Sequence, residues 1–97
     1  MPTYITLARW TQKGIEQIKE SPTRLDAFKQ AVKSAGGTVK SFYMVTGQYD
    51  MVIVSEAPND DAIAKVALAT GSKGSVRSET LRAFTEDEYR KIIAGLP

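Results

Sequence analysis

Met51-Val52-Ile53-Val54, followed by Ser55-Glu56, puts apolar side chains at four consecutive positions. A run this short, rich in β-branched residues, reads as a strand. Side chains alternate across a strand, so Met51 and Ile53 face one side and Val52 and Val54 the other. An antiparallel sheet with one wetted face alternates apolar and polar residues. Here both faces are apolar. Helices packed on the sheet account for one face. The other needs a further apolar surface, and a second copy of the same sheet provides it. The run therefore predicts helices on one side of the sheet and a homodimer built sheet against sheet.

Working towards the N-terminus, Tyr49 to Ser55 pairs with Thr38 to Val45 across the turn Thr46-Gly47-Gln48. Gly36-Gly37 ends a helix that opens at Ser21-Pro22, with Ser at the cap and Pro at the first helical position. Its apolar stripe is Leu25, Phe28, Ala31, Val32 and Ala35. Before it, Thr11 caps a short helical stretch weakened by Gly14, and Tyr4 to Trp10 is a strand. Towards the C-terminus, Asn59 caps a helix whose buried face is Ala62, Ile63, Val66, Ala67 and Thr70. The loop Gly71 to Gly74 then leads to a strand over Val76 to Phe84. The order β-α-β-β-α-β is the ferredoxin-like arrangement: an α+β fold with a four-stranded antiparallel sheet and helices on one face. Thr85-Glu86-Asp87-Glu88 is a capping box, and Tyr89, Ile92, Ile93 and Leu96 follow at helical spacing. The chain thus divides into a domain over residues 1–84 and a C-terminal amphipathic helix over 85–97.

A length of 97 residues makes one domain. With no Cys and no His, the chain has no disulfide, no thiolate zinc site, no cysteine nucleophile and no histidine base or ligand. No metal and no cofactor are expected. The net charge is +2, but the charges alternate along the helices as on a solvated face, so nucleic acid is not expected as a partner. Base stacking needs aromatics on the central strands, and Met51 to Ser55 has none. No apolar run approaches the roughly 20 residues of a membrane span, and Met1 to Arg9 lacks the pattern of a signal peptide. The expected setting is cytoplasmic.

Gly47-Gln48-Tyr49-Asp50 is the most distinctive motif. It stands with Trp10-Thr11 and Gly14, with Ser21-Pro22 and Arg24, with Phe42-Tyr43, with Val52 to Glu56 and Ala57-Pro58-Asn59-Asp60, and with Gly74 and Val76 to Phe84. Taken together, these stretches resemble the GYD domain family of small proteins. The resemblance implies a ferredoxin-like fold of the dimeric α/β-barrel group and no established activity. More loosely, Val45 to Asp50 with the strand after it is similar to the ligand-sensing domain of leucine-responsive and asparagine-type regulators. There, this turn lies near an amino-acid effector held between subunits. The present chain has no room for their DNA-binding helices, which implies a stand-alone module.

From the residues themselves, Trp10, Tyr43, Tyr49, Asp50 and Arg82 are expected to form a small-molecule pocket at one end of the sheet. The aromatics, helped by Phe42, would form an apolar wall. Arg82 would grip a carboxylate with two parallel hydrogen bonds, and Asp50 would orient it or accept from the ligand. The structural alternative gives Gly47 a positive φ, Asp50 backbone N–H partners and Tyr49 a packed ring. Arg9, Arg24 and Arg77 are further anion-binding candidates, although Lys40 and Arg77 also suit charged edge strands. The expected function is a small-molecule-binding or regulatory module acting as a homo-oligomer. The alternative is a cofactor-independent enzyme using Asp50, Glu56 or Glu79 with a tyrosine for acid–base work.

Overall fold

A computed structural model of the chain describes residues 1–97. Its elements are β1 (Thr3–Trp10), α1 (Gln12–Glu16), a single 3-10 turn (Ile18–Glu20), α2 (Ser21–Ser34), β2 (Thr38–Met44), β3 (Met51–Glu56), α3 (Asp60–Ser72), β4 (Val76–Ala83) and α4 (Glu86–Ala94). The four strands form one sheet in the order β2-β3-β1-β4, with every pair antiparallel. This is the ferredoxin-like α+β topology expected. Lys40 and Arg77 do lie on the two edge strands.

Register explains which residues form the core. Tyr4, Thr6 and Ala8 of β1 lie opposite Ser55, Ile53 and Met51 of β3, and all six are buried. Phe28 and Val32 of α2 and Ile63 and Val66 of α3 close over them. On the other side of the sheet, Tyr43, Val52, Leu7 and Glu79 form one cross-strand row, and Ser41, Val54, Ile5 and Leu81 the next. No helix covers these rows; Val52, Val54, Ile5 and Leu7 are only half-buried and Leu81 is exposed. The open apolar face anticipated from Val52 and Val54 is therefore present.

Three local expectations change. First, β2 stops at Met44 and β3 starts at Met51, so Tyr49 and Asp50 belong to a loop and not to the strand. The Val45 N–H donates to the Asp50 carbonyl (2.8 Å), and the Asp50 N–H donates to the Ala8 carbonyl (2.9 Å). The loop is hooked over the end of β1, which ends the β2–β3 ladder early. Second, Ser21 is the first residue of α2 and not its cap, and no side chain caps this helix. The hydroxyl of Ser21 is occupied elsewhere, accepting from the Trp10 indole N–H (3.2 Å). Third, the strand ends at Ala83 and leaves Phe84 exposed.

The other caps form as read. The Thr11 hydroxyl accepts from the Gly14 N–H (3.2 Å) and the Asn59 side chain from the Ala62 N–H (2.9 Å). Thr85 and Glu88 make the reciprocal capping box at 3.2 and 2.9 Å. That box sets a pH response. The Thr85 backbone N–H, followed by the Thr85 hydroxyl and the Arg82 charge, holds the Glu88 carboxyl below its ordinary range despite partial desolvation. A depressed carboxylate contributes above its unfolded pKa and loses that contribution as pH falls through the folded value. Amide shifts of Glu86 to Ala94 should therefore report loss of helix as pH falls through and below the ordinary glutamate range. In Glu88→Gln this step should vanish; if it persists, the box is not its cause.

α4 itself lies beyond the sheet, linked to it through an Arg82–Glu88 pair at 4.0 Å. Its apolar stripe, Tyr89, Ile92, Ile93 and Leu96, is exposed. No helix in the chain is long and apolar enough to cross a membrane.

Candidate ligand site at the loop between β2 and β3

Gly47 has φ +151°, a backbone conformation that favours glycine, and a Cβ there would meet nothing. Its requirement is conformational and not steric. The loop it shapes carries Gln48, Tyr49 and Asp50 across the end of β1. Asp50 Oδ2 accepts the Trp10 backbone N–H at 3.0 Å. Two hydrogen bonds thus join Asp50 to β1, one through its own N–H and one through its side chain. Asp50→Ala leaves the Trp10 N–H without its partner, which should cost about 2 kcal/mol. Asp50→Asn retains an acceptor and should cost about half of that. Urea unfolding compares the two, and equal stability of the alanine variant and the parent would exclude the tie.

Tyr49 turns onto the open face. Its hydroxyl donates to Glu79 Oε1 on β4 (2.8 Å), so the ring spans the end of β1. The Arg9 guanidinium stacks on that ring, 4.6 Å from its centroid, and Arg9 Nε donates to the Gln48 carbonyl. Donation to Glu79, together with desolvation, holds the Tyr49 hydroxyl above its ordinary pKa, against the opposing charge of Arg9. Tyr49 is therefore a protonated hydrogen-bond donor and not a base near neutral pH. Arg77 lies directly opposite Arg9 in the register. Like charges directly opposed across strands are destabilising. Leu7, Arg9, Tyr49, Arg77 and Glu79 line a hollow of about 180 Å³ here. Two guanidinium groups share it with a single carboxylate, so it has a surplus of positive charge.

The expected pocket is only partly assembled. Tyr43 stands on the same open face, opposite Val52, and is 61% exposed. Asp50 and Trp10 meet at the end of β1, but the Trp10 indole lies on the helix side with Ser21. Arg82 does not join them. It pairs with Tyr4 in the register, at the other end of β1 from Trp10, roughly 20 Å away at the rise of a strand. There its guanidinium lies over the rings of Phe84 (4.4 Å) and Tyr4 (5.9 Å) and pairs with Glu88. Arg82 secures the join between β4 and α4, not a site near Asp50. Of the acid–base candidates, Glu56 pairs with Lys40 (3.9 Å), Glu79 holds Tyr49 and Asp50 holds Trp10. Arg9 and Arg77, named singly in the sequence, become a pair only through the β1–β4 register.

Comparison with known proteins agrees with this architecture. The chain matches the GYD domain over residues 4–93, a span that reaches into α4. A Thermus thermophilus protein named "Glutamine synthetase and cystathionine beta-lyase binding protein" is 37% identical over 85 residues, covering 87% of this chain and 90% of that protein. A solved structure from Thermus thermophilus superposes with a TM-score of 0.55 at 26% identity, covering 88% of this chain and 95% of the other. A feast or famine regulatory protein of M. tuberculosis, solved with L-methionine, superposes with a TM-score of 0.63 at 18% identity. It shares the fold over 90% of this chain, which spans 54% of that protein. The loop of Gly47 to Asp50 hooked over β1, set in a ferredoxin-like sheet and matched almost from end to end, makes this chain a member of the GYD domain family.

Proposed function

We propose that the protein is a non-catalytic regulatory module that self-associates through the open face of its sheet and docks on enzymes of amino-acid metabolism. In this reading, a zwitterionic amino acid binds in the hollow beside Tyr49, between copies. The carrying observation is the Arg9–Arg77 pair facing each other on the uncovered face, with Glu79 beside them. The guanidinium groups suit a ligand carboxylate, and Glu79 suits its ammonium. Tyr49 and the exposed Tyr43 contribute aromatic surface on the same face, while Asp50 and Trp10 hold the loop in place. The relative's name supports the choice of enzyme partners, since that protein is a binding protein for two of them. Engagement of Asp50 and Glu56 in structural contacts favours binding over the acid–base alternative.

A thermal-shift screen of the free amino acids and small carboxylates tests the hollow, run on the parent and on Arg77→Gln. An amino acid that stabilises the parent should lose at least about tenfold in affinity in the variant, as expected for loss of a charge-assisted pair. Equal stabilisation of both proteins would remove the ligand from this hollow. Glutamine synthetase passed over the immobilised protein tests the partner, and absence of any retention would reject it.

A further inference from the structure

The helix side of the sheet encloses a second space, a cavity of about 130 Å³ between β1, β3, the start of β4 and helices α2 and α3. Phe28 and Ala31 of α2, with Met51 and Ile53 of β3, give it apolar walls, and the hydroxyl-bearing Thr6 and Ser78 line it. Its charged lining is one-sided: Arg24 and Lys73 contribute, and no Asp or Glu does. Lys73 is exposed, whereas Arg24 is half-buried. The terminal nitrogens of Arg24 donate to the carbonyls of Gln17 (3.0 Å) and Gly14 (3.2 Å), which hold the guanidinium in place, and the exposed Glu20, outside the cavity lining, lies 3.9 Å from Nη1. The Arg24 Nε is buried and has no hydrogen-bond partner. A buried donor left without a hydrogen bond is costly, and native folds rarely retain one without a reason.

We propose that this cavity binds a small monocarboxylate with an apolar body of about six carbons and no amino group, a size that follows from cavities of similar volume holding benzene. The carboxylate meets Arg24, and the apolar body lies against Phe28, Met51 and Ile53. An ammonium group would enter a space lined by Arg24 and Lys73 and by no acid, so amino acids are rejected. This separates the cavity from the hollow of Arg9, Arg77 and Glu79, which lies across the sheet and has an acid for the amine. The two sites stand or fall independently.

The test titrates hexanoate, hexan-1-ol, norleucine and inorganic phosphate into the full chain, read by amide NMR shifts and by thermal unfolding. Hexanoate should move the signals of Phe28, Met51 and Ile53, none of which lines the hollow, and raise the melting temperature. Hexan-1-ol, norleucine and phosphate should each bind at least about tenfold more weakly, because the alcohol lacks the carboxylate, phosphate lacks the apolar body and norleucine adds an ammonium. Ala31→Leu, which fills the cavity, should abolish the response while its spectrum shows a folded protein. Arg24→Gln should weaken hexanoate at least about tenfold. Comparable binding of hexan-1-ol or norleucine would overturn the proposal without any variant. So would an unchanged affinity in Ala31→Leu, shifts confined to Leu7, Arg77 and Glu79, or no response at low-millimolar hexanoate.

Discussion

Gly14→Ala should lower the melting temperature by roughly 8–16 °C, a net loss of about 2 kcal/mol for a domain of this size. Helix propensity alone argues the other way. Gly14 lies within α1, and alanine is favoured over glycine in a helix by about 1 kcal/mol. Its φ is not positive, so alanine carries no backbone strain there. The opposing effect is steric. A Cβ at Gly14 would fall well inside contact distance of the Ser75 carbonyl oxygen, with the Trp10 Cβ at 3.4 Å on another side. The strand entrance cannot yield easily, because the Thr11 N–H donates to that same Ser75 carbonyl (3.1 Å) and the Thr11 hydroxyl to the Gly74 carbonyl (2.6 Å). Overpacking of this kind costs about 1–3 kcal/mol and at times more, enough to outweigh the propensity gain. Calorimetry decides between the two. A variant as stable as the parent would mean that propensity wins and that α1 and the start of β4 do not pack this closely. Because the Gly14 carbonyl also holds Arg24, the same change should disturb the guanidinium beside the cavity.

Gly14 illustrates what could be read in the sequence. The residue was visible as a weakness in a helix, but its reason lies in Ser75, far along the chain. Features set by neighbours in sequence were legible: the caps at Thr11, Asn59 and Thr85, the stripe from Leu25 to Ala35, and the two apolar faces of Met51 to Val54. Features set by register were not. Tyr49 and Asp50 looked like strand residues because nothing local shows that Asp50 bonds to Ala8 and Trp10 on β1. Ser21 looked like a cap because nothing local shows that the Trp10 indole takes its hydroxyl. Alternation along β4 gives the face of Arg82 but not its height, and pairing with Tyr4 puts it at the far end from Asp50. The same register brings Arg9 and Arg77 together, and packing of α2 and α3 creates the cavity beside Arg24. Neither follows from any single stretch.

Val54→Glu should convert a self-associated parent into a monomer, with affinity between copies falling by at least about a thousandfold. Val54 sits between Ser41 and Ile5 in a row that ends at Leu81, the middle of the uncovered face. In a two-fold interface each substitution enters twice, so two carboxylates would be buried among apolar side chains without partners. The monomer should survive, because Val54 points away from the core of Tyr4, Phe28, Val32 and Ile53 and is only half-buried in the single chain. Light scattering at micromolar concentration should give at least twice the chain mass for the parent and the chain mass for the variant. The melting temperature of the parent should rise with concentration and that of the variant should not. Ile92→Glu provides the comparison for α4, whose stripe is equally uncovered. If Val54→Glu remains associated and Ile92→Glu does not, the helix and not the sheet makes the contact. If the parent is a monomer, the apolar face is available to another protein, and the hollow beside Tyr49 must work within a single copy.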